Sequence, residues 1–258
     1  MNKLNFIWRL LATGFCFIIF GLSALIISTV VFPLQTLFIK NKIKRKKVAR
    51  YTIHRSFYYF VQLMKFVGVL SVKLEAFDKL RGMRGHVIIA NHPSLIDVVL
   101  IISQIPNADC VVKSQLFKHP FLRGAVKSVG YIDNQNAEQL FDDCKKSLDA
   151  GSNIVVFPEG TRTVEGEAIK FKRGAANIAV RCKAHYQPIL ISVTPSTLTK
   201  KESWYDVPHK KVNITLSVQA PIDNSEYFSQ ANTSLAVRAL TRETQTYFCK
   251  ELERNDGY

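Results

Sequence analysis

His92 and Asp97 stand five residues apart in "IIANHPSLIDVV" (88–99), between two apolar runs and across a bend made by Asn91, Pro93 and Ser94. A loop that folds back there can bring the carboxylate to one imidazole nitrogen. That contact fixes the tautomer, stabilises the imidazolium and leaves the other nitrogen able to take a proton from an alcohol. On spacing alone, a loop histidine beside a helix-capping aspartate accounts for the residues equally well. A second stretch, "VVFPEGTRT" (155–163), ends an apolar run in Glu159, Gly160, Thr161 and Arg162. Gly160 permits a tight turn with outward N–H groups, Thr161 adds a hydroxyl, and Arg162 supplies a fork that fits phosphate or carboxylate. The chemistry suggested is base catalysis beside an anion site, although Arg162 paired structurally with Glu159 is the plain alternative. The cysteines (Cys16, Cys110, Cys144, Cys182, Cys249) are scattered, odd in number and without a Cys-x-x-Cys pair. The pattern predicts no metal site and no disulfide framework, and it agrees with a reducing cytoplasm. No Gly-x-Ser-x-Gly elbow and no glycine-rich nucleotide loop occurs.

Both loops need a rigid frame. "HVIIAN", "CVVK", "YID", "NIVVFP", "PILISVTP" and "KVNITLSVQA" read as strands, and helices alternate with them. Ser94 is expected to cap a helix through "LIDVVLIISQI"; a helix-like segment leads to Gly130; Asn136 opens a helix that Gly151 stops. "GAANIAVRC" and a last amphipathic stretch from about 234 to 252 supply two more helices. The fold class is α/β, a mixed and largely covered sheet flanked by helices, with an N-terminal membrane-associated helical segment.

The charge is divided unevenly. The formal net charge is +15, yet residues 1–74 hold twelve Lys or Arg and no Asp or Glu, and the remainder is nearly balanced at twenty-three basic and twenty acidic side chains. The excess flanks thirty uncharged residues, 10–39, followed by "KNKIKRKKVAR". About 20 apolar residues cross a bilayer, and a signal peptide's apolar region is only about 7–15 long, so an anchor is the better reading. Pro33 leaves two options, a single span or a shallow hairpin. The basic flank predicts attraction to anionic headgroups and a catalytic domain on the cytoplasmic side, at the inner membrane if the source is bacterial. The expected organisation is an anchor with basic flank over 1–50, an interfacial or linking helix over 51–74, and an α/β domain over 75–258. The sequence speaks against a nucleic-acid-binding role, because the basic run adjoins the apolar segment and lacks interleaved aromatics.

Together and in this order, "NHPSLID" and "FPEGTRT" resemble the glycerolipid acyltransferase family that includes the 1-acyl-glycerol-3-phosphate acyltransferases. "VVKSQLFKHPFLRGAVKSVGYIDN" and "FKRGAANIAVRC…QPILISV" are similar to further blocks of it, over about residues 50–220. The resemblance implies that His92 is the general base, that Asp97 orients it, and that Lys113, Glu159, Gly160, Thr161 and Arg162 hold the acceptor. It implies a lysolipid acceptor and an acyl thioester, acyl-CoA or acyl-carrier protein, as co-substrate, with no further cofactor. One position departs. The family's Phe-Ile-Asp-Arg reads "GYIDN" here, so Asn134 replaces a cation, which weakens lysophosphatidate in particular as acceptor. Another acceptor, such as a lyso-ornithine lipid or an aryl polyene-type lipid, stays open, and a non-enzymatic basic membrane-surface or nucleic-acid-binding protein is the remote alternative.

Overall fold

A computed structural model describes residues 3–119, 122–164 and 167–256; the stretch expected to be helix-like up to Gly130 lies partly outside these. In chain order the elements are α1 (Lys3–Ile26), a π-helical turn (Ile27–Val31), α2 (Phe32–Phe38), α3 (Lys42–Phe66), β1 (Leu70–Glu75), β2 (Val87–Ala90), α4 (Asp97–Ile102), β3 (Ala108–Val112), α5 (Gln115–Lys118), α6 (Arg123–Val129), β4 (Ile132–Asp133), α7 (Ala137–Asp149), β5 (Asn153–Val156), α8 (Gly174–Cys182), β6 (Tyr186–Thr194), β7 (Val212–Val218) and α9 (Thr233–Asp256).

The apolar N-terminus is one unbroken helical run, Lys3–Phe38, long and apolar enough to cross a membrane. Pro33 neither ends it nor folds it into a hairpin. It stands in the first turn of α2, just past the π-helical turn, within the continuous run. The run packs lengthwise against the rest of the chain. Phe20 meets Phe57 and Phe60 of α3, Gln35 donates to Thr52 Oγ1, and Gly124 of α6 lies against Ser28.

Two boundaries differ from the sequence expectation. The helix placed over 51–74 runs from Lys42 to Phe66, so the basic run is part of it; Asn41 Oδ1 caps it by accepting from Lys44 N. Gly68, at a φ of 78°, ends it, and residues 70–75 form a strand paired in parallel with β7. The alternation in "LSVKLE" is only six residues long and directly follows a helix rich in the same residue types, which hid it.

The seven strands are ordered β1-β7-β6-β2-β5-β3-β4, parallel except for the antiparallel β6–β7 pair. Both faces are covered. Ile88 and Ala90 point towards α3, α4 and the N-terminal helices, and Val87 and Ile89 towards α7, α8 and α9. This explains why β2, VIIA, and Ile154–Val156 of β5 are apolar at successive positions instead of alternating. The register pairs Ile89 with Val156, so the loops that follow β2 and β5 leave the same sheet edge side by side. Ligands in open α/β sheets bind beyond that carboxyl edge.

One buried ion pair ties α3 to the α/β body. Arg50 of α3, 4% exposed, contacts the fully buried carboxylate of Asp109 on β3 and donates to Val129 O, Asn107 Oδ1 and Ser152 Oγ at 3.1, 3.2 and 2.8 Å. Ser147 Oγ and Lys46 Nζ also reach Asp109, at 2.6 and 3.5 Å. Each guanidinium nitrogen thus has a partner, which is the condition under which a charge tolerates burial.

Candidate active site

β2 runs out at Ala90, and the side chain of Asn91 continues its ladder. Asn91 Nδ2 donates to Ile191 O at 2.7 Å and Asn91 Oδ1 accepts from Ile191 N at 2.8 Å. The amide imitates a further residue of strand pairing with β6, so the chain enters the bend from a fixed position. His92 follows. Its Nδ1 lies 2.8 Å from Asp97 Oδ2, which also accepts from Ser94 N at 2.8 Å. Asp97 opens α4 and is fully buried, whereas the imidazole is 16% exposed. The carboxylate keeps the proton on Nδ1 and leaves the lone pair on Nε2, which has no hydrogen-bond partner among the described residues. Ser94 does not cap α4. It presents its backbone N–H to Asp97, and neither its buried hydroxyl nor Asp97 Oδ1 has a hydrogen-bond partner among the described residues.

The second loop grips the first. Glu159 Oε1 accepts from the His92 backbone N–H at 2.8 Å, and Thr163 N donates to His92 O at 2.7 Å. Thr163 Oγ1 in turn donates to Glu159 Oε2 at 2.8 Å. The phenyl ring of Phe157 stacks on the imidazole with centroids 4.2 Å apart. Both polar groups of the His92 peptide and one ring face are therefore fixed by residues 157–163. Burial pushes the carboxyl of Asp97 above its ordinary range, opposed by the His92 contact and the Ser94 N–H. It raises Glu159 too, opposed by the His92 N–H and Thr163.

The other expected site residues are placed differently. Arg162 Nη1 donates to Leu198 O and Thr199 O at 2.9 and 2.7 Å, and Leu95 N also donates to Leu198 O, so Arg162 braces the segment after β6 against the His92 loop. It does not pair with Glu159. Thr161 is half-buried, and Gly160 takes a φ of 67° that favours glycine. Lys113 is exposed one residue beyond β3, and its ammonium makes no ion pair among the described residues. Asn134 Oδ1 accepts from Ser114 N, holding the turn that carries Lys113. His92, Asp97 and Glu159 are linked directly, Arg162 through Leu198, and Lys113 by none of these contacts.

Sequence reasoning passed over four contributors. Asn91, Phe157 and Thr163 lie inside the quoted motifs but read as bend or strand residues. Lys172, twelve positions after Gly160, has its side chain across the turn. A Cβ on Gly160 would lie 3.2 Å from both Lys172 Cδ and Nζ, and Lys172 N donates to Pro158 O at 2.8 Å. No spacing rule links it to the loop. Beside Leu95 and Ile96, on the α3 side of the sheet, lies an apolar cavity of about 190 Å³. Phe17 and Phe20 of α1, Met64, Val99, Leu198 and Trp204 are among its walls.

The segment 71–192 matches the family model described as Acyltransferase. Among curated proteins, a 1-acyl-sn-glycerol-3-phosphate acyltransferase of Helicobacter pylori (strain J99) is 34% identical over 131 residues, covering 48% of this chain and 54% of that one. A putative 1-acyl-sn-glycerol-3-phosphate acyltransferase, acl-2, of Caenorhabditis elegans is 34% identical over 154 residues, covering 57% and 52%. The chain thus spans about half the length of these relatives. The crystal structure of the 1-acyl-sn-glycerophosphate acyltransferase PlsC from Thermotoga maritima superposes with a TM-score of 0.69 at 21% identity, over 98% of each chain, and has the same fold. The part of the chain that matches the Acyltransferase family model, residues 71–192, holds both loops and the strands that aim them.

Proposed function

We propose that the protein transfers a fatty acyl group from an acyl thioester, acyl-CoA or acyl-carrier protein, to the hydroxyl of a lysophospholipid, 1-acyl-glycerol-3-phosphate in the first place, giving phosphatidate. The observation that carries this reading is the His92–Asp97 contact at 2.8 Å at the carboxyl edge of the sheet, with Nε2 without a hydrogen-bond partner among the described residues and an apolar cavity lined by Leu95 and Ile96 of the same loop. Nε2 takes the proton of the acceptor hydroxyl as its oxygen bonds to the thioester carbonyl carbon. The imidazolium so formed is stabilised by the Asp97 carboxylate. When the C–S bond breaks, the proton passes to the departing thiolate, and His92 is restored. The nucleophile belongs to the acceptor, so no serine or cysteine of the chain forms a covalent intermediate.

The acceptor reading is supported by the activities named for the relatives and by the cation of Lys172, whose side chain lies across the turn at Gly160. Asn134 favours a second reading, another lysolipid acceptor, because it is neutral and already engaged with Ser114. Membrane attachment is supported by the exposed apolar face of α1 (Leu4, Ile7, Trp8, Leu11, Phe15 and Ile18 among it) and by the basic run in α3. The lengthwise packing of residues 3–38 on α3 and α6 favours a helix lying within one leaflet over one that crosses alone, and the basic run favours the cytoplasmic side.

The test is transfer of a labelled acyl group to a panel of lysolipids. His92→Ala is expected to lose about 10²–10⁴ in rate, the worth of a positioned general base. A near-normal rate would remove His92 from this role. Lys113→Ala and Arg162→Ala are expected to raise KM for a phosphate-bearing acceptor more than for a neutral one.

A further inference from the structure

The segment 200–211, between β6 and β7, is not accounted for by the transfer chemistry. Trp204 and Tyr205 at its centre are 47% and 55% exposed. Lys200, Lys201, Lys210 and Lys211 bracket them and are exposed as well. The two acidic residues between leave the segment with a net positive charge and form no ion pair with these lysines among the described residues. Glu202 accepts from Thr199 N at 2.8 Å and Asp206 from Ser203 N at 2.7 Å.

The segment also follows α1. The Trp204 ring lies over Gly14, where a Cβ would meet it at 3.2 Å, and its centroid is 6.2 Å from that of Phe17. His209 sits 6.5 Å from the Phe6 ring. Contacts from Phe6 to Phe17 cover about 16 Å of helix at 1.5 Å per residue. Gly14 and Phe17 border the exposed apolar stripe of α1, so Trp204 widens that stripe sideways without a gap. An aromatic pair with a polar rim of lysines matches the composition found where protein meets headgroups.

We infer that residues 200–211 are a second lipid-facing element, with Trp204 and Tyr205 seated at the acyl–headgroup boundary and the four lysines on anionic headgroups. The inference rests on the membrane attachment proposed above. Trp204, Val207 and Pro208 also line the apolar cavity. The same contact therefore holds that cavity against the leaflet that contains the acceptor's chain.

The two tryptophans of the chain, Trp8 and Trp204, report the two elements separately. Full-length Trp8→Phe protein, with Trp204 as its only indole, is mixed with vesicles of phosphatidylcholine and phosphatidylglycerol carrying bromine on their acyl chains. Trp204→Phe protein reports Trp8 in parallel. The expected result is bromine quenching of both. Quenching of Trp8 with none of Trp204 would overturn the inference and leave membrane attachment standing. A blue shift of Trp204 without bromine quenching would mean burial against protein, and would overturn it too. If neither indole is quenched, attachment itself fails and the inference with it. Lys210→Glu/Lys211→Glu protein is further expected to partition about tenfold or more less well onto the anionic vesicles and equally onto pure phosphatidylcholine; equal partitioning onto both would refute the assignment of the lysines.

Discussion

Glu159 offers a sharp test, because the geometry assigns it a task other than holding the acceptor. Its carboxylate is 6% exposed and accepts from the His92 N–H at 2.8 Å, while Thr163 Oγ1 reaches the same carboxylate at 2.8 and 3.1 Å. Glu159→Ala deletes both partners. The half-buried Thr163 hydroxyl can turn to water, but the His92 N–H faces the gap left behind. A hydrogen bond to a charged acceptor contributes about 1.5–3 kcal/mol. If that energy holds the imidazole in line with the hydroxyl it deprotonates, its loss appears in kcat, at about 1.4 kcal/mol per factor of ten, as a reduction of about 10- to 100-fold. Glu159→Gln keeps an acceptor oxygen at the same reach, so it should stay within a few-fold of the parent. The assay is steady-state transfer to a phosphate-bearing and a neutral lysolipid, with kcat and KM resolved for each. The reasoning is refuted if the glutamine variant falls as far as the alanine variant, or if the loss lies in KM for the anionic acceptor alone.

Three further outcomes follow from the packing and the charges. Arg50→Ala leaves the buried Asp109 carboxylate with Lys46, Ser147 and the Cys110 N–H but without its buried counter-charge, and should lower unfolding free energy in urea by about 3–5 kcal/mol; Arg50→Met with Asp109→Leu should recover most of it. Gly160→Ala meets both a φ of 67° and the Lys172 side chain at 3.2 Å, and should lower stability by about 1–2 kcal/mol, a loss that Lys172→Ala relieves only in its steric part. Burial raises the Glu159 carboxyl above its unfolded value, so its stability contribution is full below that value and disappears as pH rises through the folded one. Urea midpoints of Glu159→Gln should accordingly improve relative to the parent as pH is raised from the acid side. A constant difference across pH would contradict this.

The α/β class and most of the elements were legible because apolar runs of strand length alternate with capped helical stretches. Asn136, whose side chain accepts from Gln139 N, opens α7 as its sequence position suggests, and α8 covers "GAANIAVRC" from end to end. β1 was not legible, since its partner β7 lies 142 positions away and nothing local separates six alternating residues from the helix before them. Within the site, the pairing of His92 with Asp97 could be proposed from spacing, because both sit on one bend. The direction taken by Glu159 could not. Whether a carboxylate faces outward to a ligand or inward to a backbone N–H depends on the lateral register of β2 and β5, and that register arises only when the sheet assembles. Lys172 was hidden for the same reason, as it reaches Gly160 across a loop whose path no periodicity describes.

The π-helical turn at Ile27–Val31 decides which side of a long helix faces outward. At about 100° per residue, an uninterrupted α-helix would swing Phe32 round among the outward positions of α1 and would carry Leu34 and Leu37 away from them. A turn closed one residue later inserts about one extra step. That step returns Phe32, 3% exposed, to the azimuth of Thr13, and brings Leu34 and Leu37 back into line with Leu11, Phe15 and Ile18. Thirty-six residues thereby keep a single greasy flank, as a keel does along a hull. Deleting one residue from Ile27–Val31 would let the run close as plain α-helix with that flank still aligned, whereas adding one would rotate its forward and rear halves apart, although every apolar side chain would remain.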